Sequence, residues 1–291
     1  MNHPLLKYLC CPVCKLALGS KPKSLYCKKC KKKYSISNGI PILVDLSTLP
    51  THLRNQVKYF EKEDQTRISY VLEPWQKRYV DTFLSHNKYK KNSLIIDNAT
   101  GSGYMAIELA KLGFNIIATD LTFAELVKLK ANILQLKLER KILLVCASSE
   151  DLPIKTGVAD GMVANAILEH LPHEKKAIKE IERVLKYGAS LMLAMPIQLQ
   201  YVWPFLWPVN ILHDRRIGHL RRYTRANILE GFHRFREMKT YYTGSLGKIV
   251  CLAFKMLTKD SRWDKRAEKV DEYFSRFSYG ASNIVSVLKK K

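Results

Sequence analysis

The stretch from residue 94 to residue 120, LIIDNATGSGYMAIELAKLGFNIIATD, decides the fold. Its apolar runs 94–96 and 116–118 each end in an acidic residue, Asp97 and Asp120, and a glycine-containing turn and a helically spaced apolar pattern lie between them. A short run of apolar, β-branched residues bounded by turn signals predicts a buried strand. The order strand, turn, helix and strand therefore predicts a parallel βαβ unit with both carboxylates at one edge of an α/β sheet.

The glycine turn in this unit predicts a ligand site. Gly101 and Gly103 let the backbone bend tightly and let a ligand approach without meeting a Cβ, and the N–H groups at the start of the helix face that ligand. Asp120 is placed to accept the hydroxyl protons of a ribose. The Gly-Lys-Ser/Thr sequence of a triphosphate-binding loop does not occur here. We therefore expect a nucleoside ligand without a triphosphate, the alternative being an unliganded turn.

Residues 97–103, DNATGSG, resemble motif I of the class I S-adenosylmethionine (SAM) methyltransferases, with alanine where the first glycine usually stands. The Ala-Thr-Gly-x-Gly form is similar to that of the menaquinone and ubiquinone C-methyltransferases. The resemblance implies an α/β fold, namely a Rossmann-like seven-stranded methyltransferase sheet with helices on both faces, and SAM as the cofactor. It assigns cofactor binding to Asp97, Ala99, Gly101, Gly103 and Asp120.

Three later segments extend the resemblance to about residues 93–235. SSEDLP at 148–153 resembles the loop that holds the adenine, although a serine stands where the family usually has aspartate. ADGMVANAILEHL at 159–171 resembles the fourth strand with its exit, and VLKYGASLMLAMP at 184–196 resembles the fifth strand. These matches add four residues to the expected cofactor site: Ser148, Glu150, Asp151 and Asn165.

Candidate catalytic residues follow the fourth and fifth strands. Methyl transfer from a sulfonium is a displacement at carbon, so the enzyme mainly aligns the reactants. A base is required only where the acceptor must lose a proton, and His170 is the first candidate near neutral pH, with a packing role as its alternative. His219 and Tyr223 are further candidates. They lie in an arginine-rich run at 213–225 that suits phosphate recognition.

Four cysteines near the amino terminus predict a metal site. Cys11, Cys14, Cys27 and Cys30 form two Cys-x-x-Cys pairs separated by twelve residues, the pattern of a structural Zn²⁺ site with four thiolates. Two disulfides fit a chain without a secretion signal less well, and a redox dithiol is a weaker rival. The layout resembles the zinc ribbons that activate tRNA and protein methyltransferases, and the ribbon that precedes some rRNA guanine methyltransferases. A protein partner is one implication.

The chain divides into three predicted parts. Residues 1–46 form the zinc ribbon, residues 47–92 form a linker and lid helices, and residues 93–291 form the methyltransferase domain with a substrate-side insertion at about 197–225. In that insertion Trp203, Phe205 and Trp207 stand among prolines. We expect them to form a non-helical acceptor lid or a membrane-facing loop.

The charge predicts an anionic partner. With 49 lysines and arginines against 26 acidic residues the net charge is +23, which suits RNA or membrane headgroups, or else a solvated surface without a partner. The uncharged stretch 187–212 is interrupted by glycine and prolines, so no transmembrane span is expected. The absence of a signal sequence predicts a cytoplasmic protein, with peripheral membrane contact as a further expectation.

Three functions fit these observations. The first is a SAM-dependent methyltransferase acting on a hydrophobic or lipid-linked acceptor at an anionic membrane. The second is an RNA-directed methyltransferase that uses the basic zinc ribbon. The third is a non-catalytic adaptor with a decayed SAM site.

Overall fold

The computed structural model describes residues 2–63 and 70–291, so that residues 64–69 of the predicted linker lie outside the described residues. The strands are β1 (Gly19–Lys21), β2 (Ser24–Tyr26), β3 (Lys33–Ser37), β4 (Ile40–Pro41), β5 (Leu94–Asn98), β6 (Asn115–Asp120), β7 (Ile142–Cys146), β8 (Ala159–Asn165), β9 (Leu185–Pro196), β10 (Phe235–Thr243) and β11 (Asn283–Lys290). The helices are α1 (Thr51–Glu63), α2 (Pro74–Ser85), α3 (Tyr104–Lys111), α4 (Phe123–Gln135), α5 (Glu174–Val184), α6 (Trp207–Ile217), α7 (Arg225–Gly231), α8 (Leu246–Thr258) and α9 (Arg262–Phe274).

Seven strands form one large sheet in the order β10-β11-β9-β8-β5-β6-β7. Strands β5 to β9 are parallel, and β11 runs antiparallel between β9 and β10. The predicted Rossmann-like seven-stranded sheet is confirmed. The strand order reverses at β5, which has β6 on one side and β8 on the other, and ligands of such sheets bind where the carboxyl ends of these strands diverge.

Both faces of this sheet are covered by helices, as predicted. Successive side chains of a strand point to opposite faces, so Ile95 and Ile96 of β5 enter different hydrophobic cores. Ile95 packs in the core that contains α3 and α4, and Ile96 packs in the core that contains α5. All five residues of β5 are buried, which explains the uninterrupted apolar run in the sequence.

The amino-terminal residues form a small four-stranded sheet, β1 to β4, that packs against the edge of the large sheet. Leu5 and Leu9 share one hydrophobic core with Ile154. The N–H of Leu43 donates to the carbonyl of Cys146 at 2.8 Å, and Lys15 Nζ lies 2.6 Å from Glu180 Oε2. The small sheet and the large sheet therefore fold as one packed body.

The predicted non-helical insertion is wrong in its second half. After two short 3-10 turns, residues 207–217 form α6. Pro208 occupies the first turn of this helix, where no intrahelical N–H donor is needed. Gly218 then ends the helix in the left-handed conformation, with φ of 77°. Pro208 was expected to exclude a helix, but it lies in the first turn of one.

Candidate functional site

A cavity of about 830 Å³ opens at the carboxyl ends of β5, β6 and β8. Its roof is formed by apolar and aromatic side chains of α1 and α2, among them Leu53, Phe60, Trp75 and Tyr79. The structure brings eight of the predicted site residues into its lining: Asp97, Ala99, Gly101, Asp120, Ser148, Asn165, His170 and His219. Four others, Gly103, Glu150, Asp151 and Tyr223, are not part of this lining.

The turn after β5 uses the left-handed backbone at alternate residues. Ala99, Gly101 and Gly103 have φ of 58°, 48° and 75°, a conformation that favours glycine. A Cβ built on Gly101 would meet no atom within 4 Å, whereas one on Gly103 would lie 2.3 Å from Leu129 Cδ1. The bare backbone of Gly101 is therefore turned toward the cavity. Gly103, which the sequence assigned to the cofactor site, instead allows close packing of α3 on α4.

Two carboxylates, the buried Asp97 and the partly buried Asp120, fix this turn. Asp120 accepts the N–H of Gly101 and the N–H of Thr122, both at 2.9 Å, while Asp97 accepts the Thr100 hydroxyl at 2.6 Å. Burial raises the pKa of Asp97 to about 6, and burial also raises the pKa of Asp120. The carboxylate of Asp120 also lines the cavity. Asp120 can thus accept a hydroxyl at the cavity while it holds the glycine turn.

The loop after β7 presents serines to the cavity instead of acids. Ser148 and Ser149 line the cavity, and the Ser149 hydroxyl donates to Asn98 Oδ1 at 2.9 Å. Glu150 accepts the N–H of His173 at 2.8 Å, so it caps the approach to α5. Asp151 pairs with a lysine of α5 at the surface. The side chains of Glu150 and Asp151, which the sequence assigned to the cofactor site, are thus directed at α5 in the structure.

Three titratable side chains meet in the cavity wall: Glu169, His170 and His219. Glu169 is 1% exposed, and burial raises its pKa to about 8. Gln56 Nε2 of α1 lies 2.7 Å from His170 Nδ1, and burial lowers the pKa of His170 to about 3, so this ring is neutral at pH 7. Glu169 was not among the residues predicted from the sequence, although it stands in the same Leu-Glu-His-Leu segment as His170.

His219 is oriented by a carboxylate. His219 Nδ1 lies 2.7 Å from Asp214 Oδ1, and Arg222 donates to both oxygens of Asp214 at 2.6 and 2.9 Å. Burial lowers the pKa of His219. Arg221 donates to the carbonyls of residues 168 and 171. These two arginines hold the cavity wall, which corrects the expectation that they are available to phosphates.

Tyr223 lies away from the cavity. It is 4% exposed, and its hydroxyl donates to Glu174 Oε1 at 2.8 Å. It lines a separate hollow of about 1490 Å³, together with basic residues such as Lys179 and Arg234. The structure therefore gives Tyr223 a packing role and does not bring it to His170 or His219.

The four predicted metal-binding cysteines come together. One ligand atom from each of Cys11, Cys14, Cys27 and Cys30 lies within 4.8 Å of the others. The Cys14–Cys27 and Cys11–Cys30 sulfur distances are 3.4 and 4.0 Å. A tetrahedral ion with bonds of about 2.3 Å to sulfur would require sulfur separations of about 3.8 Å. The cluster thus has the dimensions of a four-thiolate metal site.

Comparison with known proteins supports the same fold. Residues 96–193 match the family described as "Methyltransferase domain". An uncharacterized protein of Haemophilus influenzae is 34% identical over 124 residues, which cover 42% of this chain and 49% of that protein. The ubiquinone/menaquinone biosynthesis C-methyltransferase UbiE of Rickettsia prowazekii is 33% identical over 101 residues, which cover 33% of this chain and 41% of that protein. The chain spans about half the length of the curated relatives it matches.

Among solved structures, the geranyl diphosphate C-methyltransferase of Streptomyces coelicolor, in complex with Mg²⁺, geranyl diphosphate and S-adenosylhomocysteine, superposes with a TM-score of 0.61. The alignment covers 83% of this chain and 99% of that chain at 12% identity. At this identity the likeness concerns the fold. The family match over residues 96–193 agrees with the sheet topology and with the geometry of the glycine turn, and together they support a class I SAM-dependent methyltransferase fold for this part of the chain.

Proposed function

We propose that the chain is a SAM-dependent methyltransferase whose acceptor is a hydrophobic or lipid-linked molecule at an anionic membrane surface. The proposal that the chain uses SAM rests on the open space above Gly101. This space belongs to the same cavity as the carboxylate of Asp120. A side chain at residue 101 would fill this space, so the turn fits a ligand that contacts its backbone.

Different residues around the cavity would contact different parts of the cofactor. The backbone at Gly101 would face the amino-acid part of the cofactor, Asp120 would accept the ribose hydroxyls, and Ser148 with Ser149 would border the adenine. SAM supplies a methyl group on a positively charged sulfur. The chain has to orient this group toward an acceptor and exclude water, and the aromatic roof that includes Phe60 and Trp75 suits both tasks.

Helix α6 supports an acceptor at a membrane. His213 and Ile217 of this helix line the cavity, while Val209 and Leu212 of the same helix are 64% and 65% exposed. Phe205, just before the helix, is 62% exposed. These exposed apolar side chains, together with the arginines in the last turn of the helix, offer apolar contacts and positive charge to anionic lipid. No described helix has both the length and the apolarity that crossing a bilayer would require.

Cofactor binding is tested by calorimetry. We expect SAM to bind the full chain, and Asp120→Ala to weaken that binding at least tenfold, because the ribose hydroxyls lose their acceptor. Leu112→Ala is the matched control, since Leu112 follows α3 at the opposite edge of the sheet and is 55% exposed. An absence of SAM binding at millimolar concentration would contradict the proposal and favour the adaptor function.

Membrane binding is tested by sedimentation with vesicles of neutral lipid and of neutral lipid mixed with phosphatidylglycerol. We expect the chain to sediment with the anionic vesicles, and Leu212→Ser to weaken this association several-fold, while Leu112→Ser leaves it unchanged. Equal association of Leu212→Ser and the unmodified chain would contradict docking through α6.

RNA as the acceptor is the second candidate, and one observation favours it. Five lysines of the small amino-terminal sheet surround a hollow of about 440 Å³: Lys21, Lys28, Lys31, Lys32 and Lys33. Contacts with phosphates would make the affinity fall steeply with salt. RNA binding with a steep salt dependence, together with no binding to anionic vesicles, would select this function over the membrane.

We also propose that the four cysteines hold a structural Zn²⁺. The chemistry of four thiolates suits zinc, and the N–H of Cys30 lies 3.4 Å from the sulfur of Cys27, as in a loop that turns around its metal. With four protein ligands no coordination position remains open for a substrate. Metal analysis of the purified chain should find zinc that is lost in Cys27→Ser.

A further inference from the structure

Helix α8 exposes apolar side chains along most of its length. Met256 and Leu257, near its carboxyl end, are 81% and 80% exposed. Four more apolar residues of this helix are between 37% and 46% exposed: Ile249, Val250, Leu252 and Phe254. Exposed apolar side chains that are concentrated in this way mark an interaction surface, whereas single ones are normal on any protein.

The lysines of α8 point away from this surface. Lys248 Nζ lies 2.5 Å from Glu268 Oε1 and 3.4 Å from Asp271 Oδ2. Lys255 Nζ lies 2.7 Å from Asp264 Oδ2. The three acids belong to α9, so ion pairs lie between the two helices while apolar side chains of α8 face outward. A helix between a protein core and water has the opposite arrangement. The outer side of α8 therefore suits an apolar environment.

The outer side of α9 is basic. Its exposed charged residues are four cations, Arg262, Lys265, Arg266 and Lys269, and one acid, Glu272. The guanidinium carbon of Arg266 lies 4.9 Å from the centroid of the Trp263 ring. The Trp263 ring in turn stacks on Phe254 of α8, with centroids 5.0 Å apart. Positive charge is thus held directly beside the exposed apolar side chains of α8.

Aromatic contacts connect the end of α9 with the segment that leads into α6. Phe277 and Tyr279, which follow α9, are 49% and 52% exposed. The ring centroids of Tyr279 and Trp203 are 4.9 Å apart, and Trp203 stacks with Phe205 at 6.2 Å. Phe205 is itself exposed and lies just before α6. The exposed apolar residues at the two ends of this chain of rings therefore belong to one region of the surface.

We propose that the hairpin of α8 and α9, residues 246–274, binds an anionic lipid surface. The apolar side chains of α8 enter the lipid, and the basic side chains of α9 contact the headgroups. The inference rests on the membrane location in the proposed function, and it names the element that supplies most of the affinity. A second copy of the chain could also cover α8, but it would bring two basic surfaces together, and like charges oppose association.

The apolar contact is tested by sedimentation with vesicles of phosphatidylcholine mixed with phosphatidylglycerol. Met256→Ser combined with Leu257→Ser should weaken the association of the full chain at least tenfold, because two side chains that are mostly exposed in the free protein no longer enter the lipid. The matched control combines Leu112→Ser with Leu134→Ser, which changes two leucines that are 55% and 51% exposed elsewhere. This control should bind like the unmodified chain.

The basic contact is tested with the same vesicles and with vesicles of phosphatidylcholine alone. Lys265→Gln combined with Lys269→Gln should weaken binding to the anionic vesicles about fivefold for each charge removed and should reduce the preference for them. The matched control combines Lys175→Gln with Lys179→Gln, which removes two exposed lysines at the same spacing from α5. It should lose several-fold less affinity. An equal loss in both variants would contradict contact through α9.

Equal binding by the unmodified chain and the variant with serines at 256 and 257 would overturn the inference. So would a dimer in analytical ultracentrifugation that the same variant dissociates, because a second copy would then be the partner of α8. In either case the effect of Leu212→Ser still decides whether α6 contacts the membrane, and the calorimetric test of SAM binding needs no vesicles. Failure of this inference is therefore distinguishable from failure of the proposed function.

Discussion

Replacement of Gly101 and of Gly103 by alanine should have different effects. The change at residue 103 should cost more stability, and the change at residue 101 should cost more ligand affinity. Gly101 and Gly103 both have positive φ, so alanine at either position pays a conformational cost of about 1–2 kcal/mol. Only at residue 103 does the new Cβ collide with a neighbour, since it would lie 2.3 Å from Leu129 Cδ1 and 2.9 Å from Leu129 Cγ. Leu129 is 2% exposed, and because its Cγ as well as its Cδ1 lies within 3 Å of the added Cβ, its whole side chain has to shift.

The expected magnitudes follow from this geometry. Overpacking of a closed core costs about 1–3 kcal/mol, so Gly103→Ala should lower the free energy of unfolding by about 2–5 kcal/mol in total. Gly101→Ala should lower it by about 1–2 kcal/mol. The change in entropy of the unfolded chain is the same for both substitutions, so the difference between the variants isolates the contact with Leu129.

Ligand binding should show the reverse order. The methyl group of Gly101→Ala points into the open space of the cavity, so SAM affinity should fall at least tenfold, whereas Gly103→Ala should stay within a few-fold of the unmodified chain. Urea unfolding and calorimetry measure the two quantities on the same samples. Equal stability of the variants, or a larger loss of affinity at residue 103, would refute the assignment of one glycine to the ligand and the other to packing.

Four further outcomes are expected. The pKa of Asp97 is about 6 in the folded state and 3.8 in the unfolded state. The stability that this difference contributes is therefore fully present below pH 4 and is lost as the pH rises through 6. Relative to Asp97→Asn, the free energy of unfolding of the unmodified chain should fall by about 3 kcal/mol between these pH values. Chelation of the proposed zinc should lower the melting temperature of the whole chain in a single transition, because Leu9 and Ile154 share one core; two separate transitions in calorimetry would contradict this. Asp271→Asn should cost about 3–5 kcal/mol in urea unfolding, since Asp271 is fully buried and compensates the charges of two cations. Ala99→Gly should be neutral or stabilising by up to about 1 kcal/mol, because φ at this residue is 58°; a clear loss of stability would contradict the strain at Ala99.

The sequence predicted the sheet because its strands are buried on both faces and appear as apolar runs, such as 94–96. The glycine turn was predictable for a similar reason, since it needs a residue type with a wide range of φ. Local patterns cannot show which distant element a side chain meets. Gly103 packs on α4, Glu150 turns to α5, and Arg222 finds its carboxylate on α6, and each of these contacts exists only after the chain has folded.

Glu169 is a further residue whose environment the local sequence pattern does not predict. The segment that contains it was noted for its histidine, because histidine titrates near neutral pH and a lone glutamate is common on surfaces. Its burial and its unpaired oxygen depend on α1 and on the end of α6 closing over the wall. A motif can therefore show where a site lies and still omit the residue with the least ordinary environment.

The small sheet at the amino terminus also changes what the edge of the large sheet can do. Strand β7 is the outermost strand on its side, and an exposed edge strand offers unpaired backbone groups to other chains. Here Ile42 forms a parallel bridge with Cys146, and the N–H of Leu43 donates to the same residue. The cysteine-bearing segment thus protects the edge strand from pairing with other chains. A shortened chain that begins after this segment would expose β7 and should aggregate more readily.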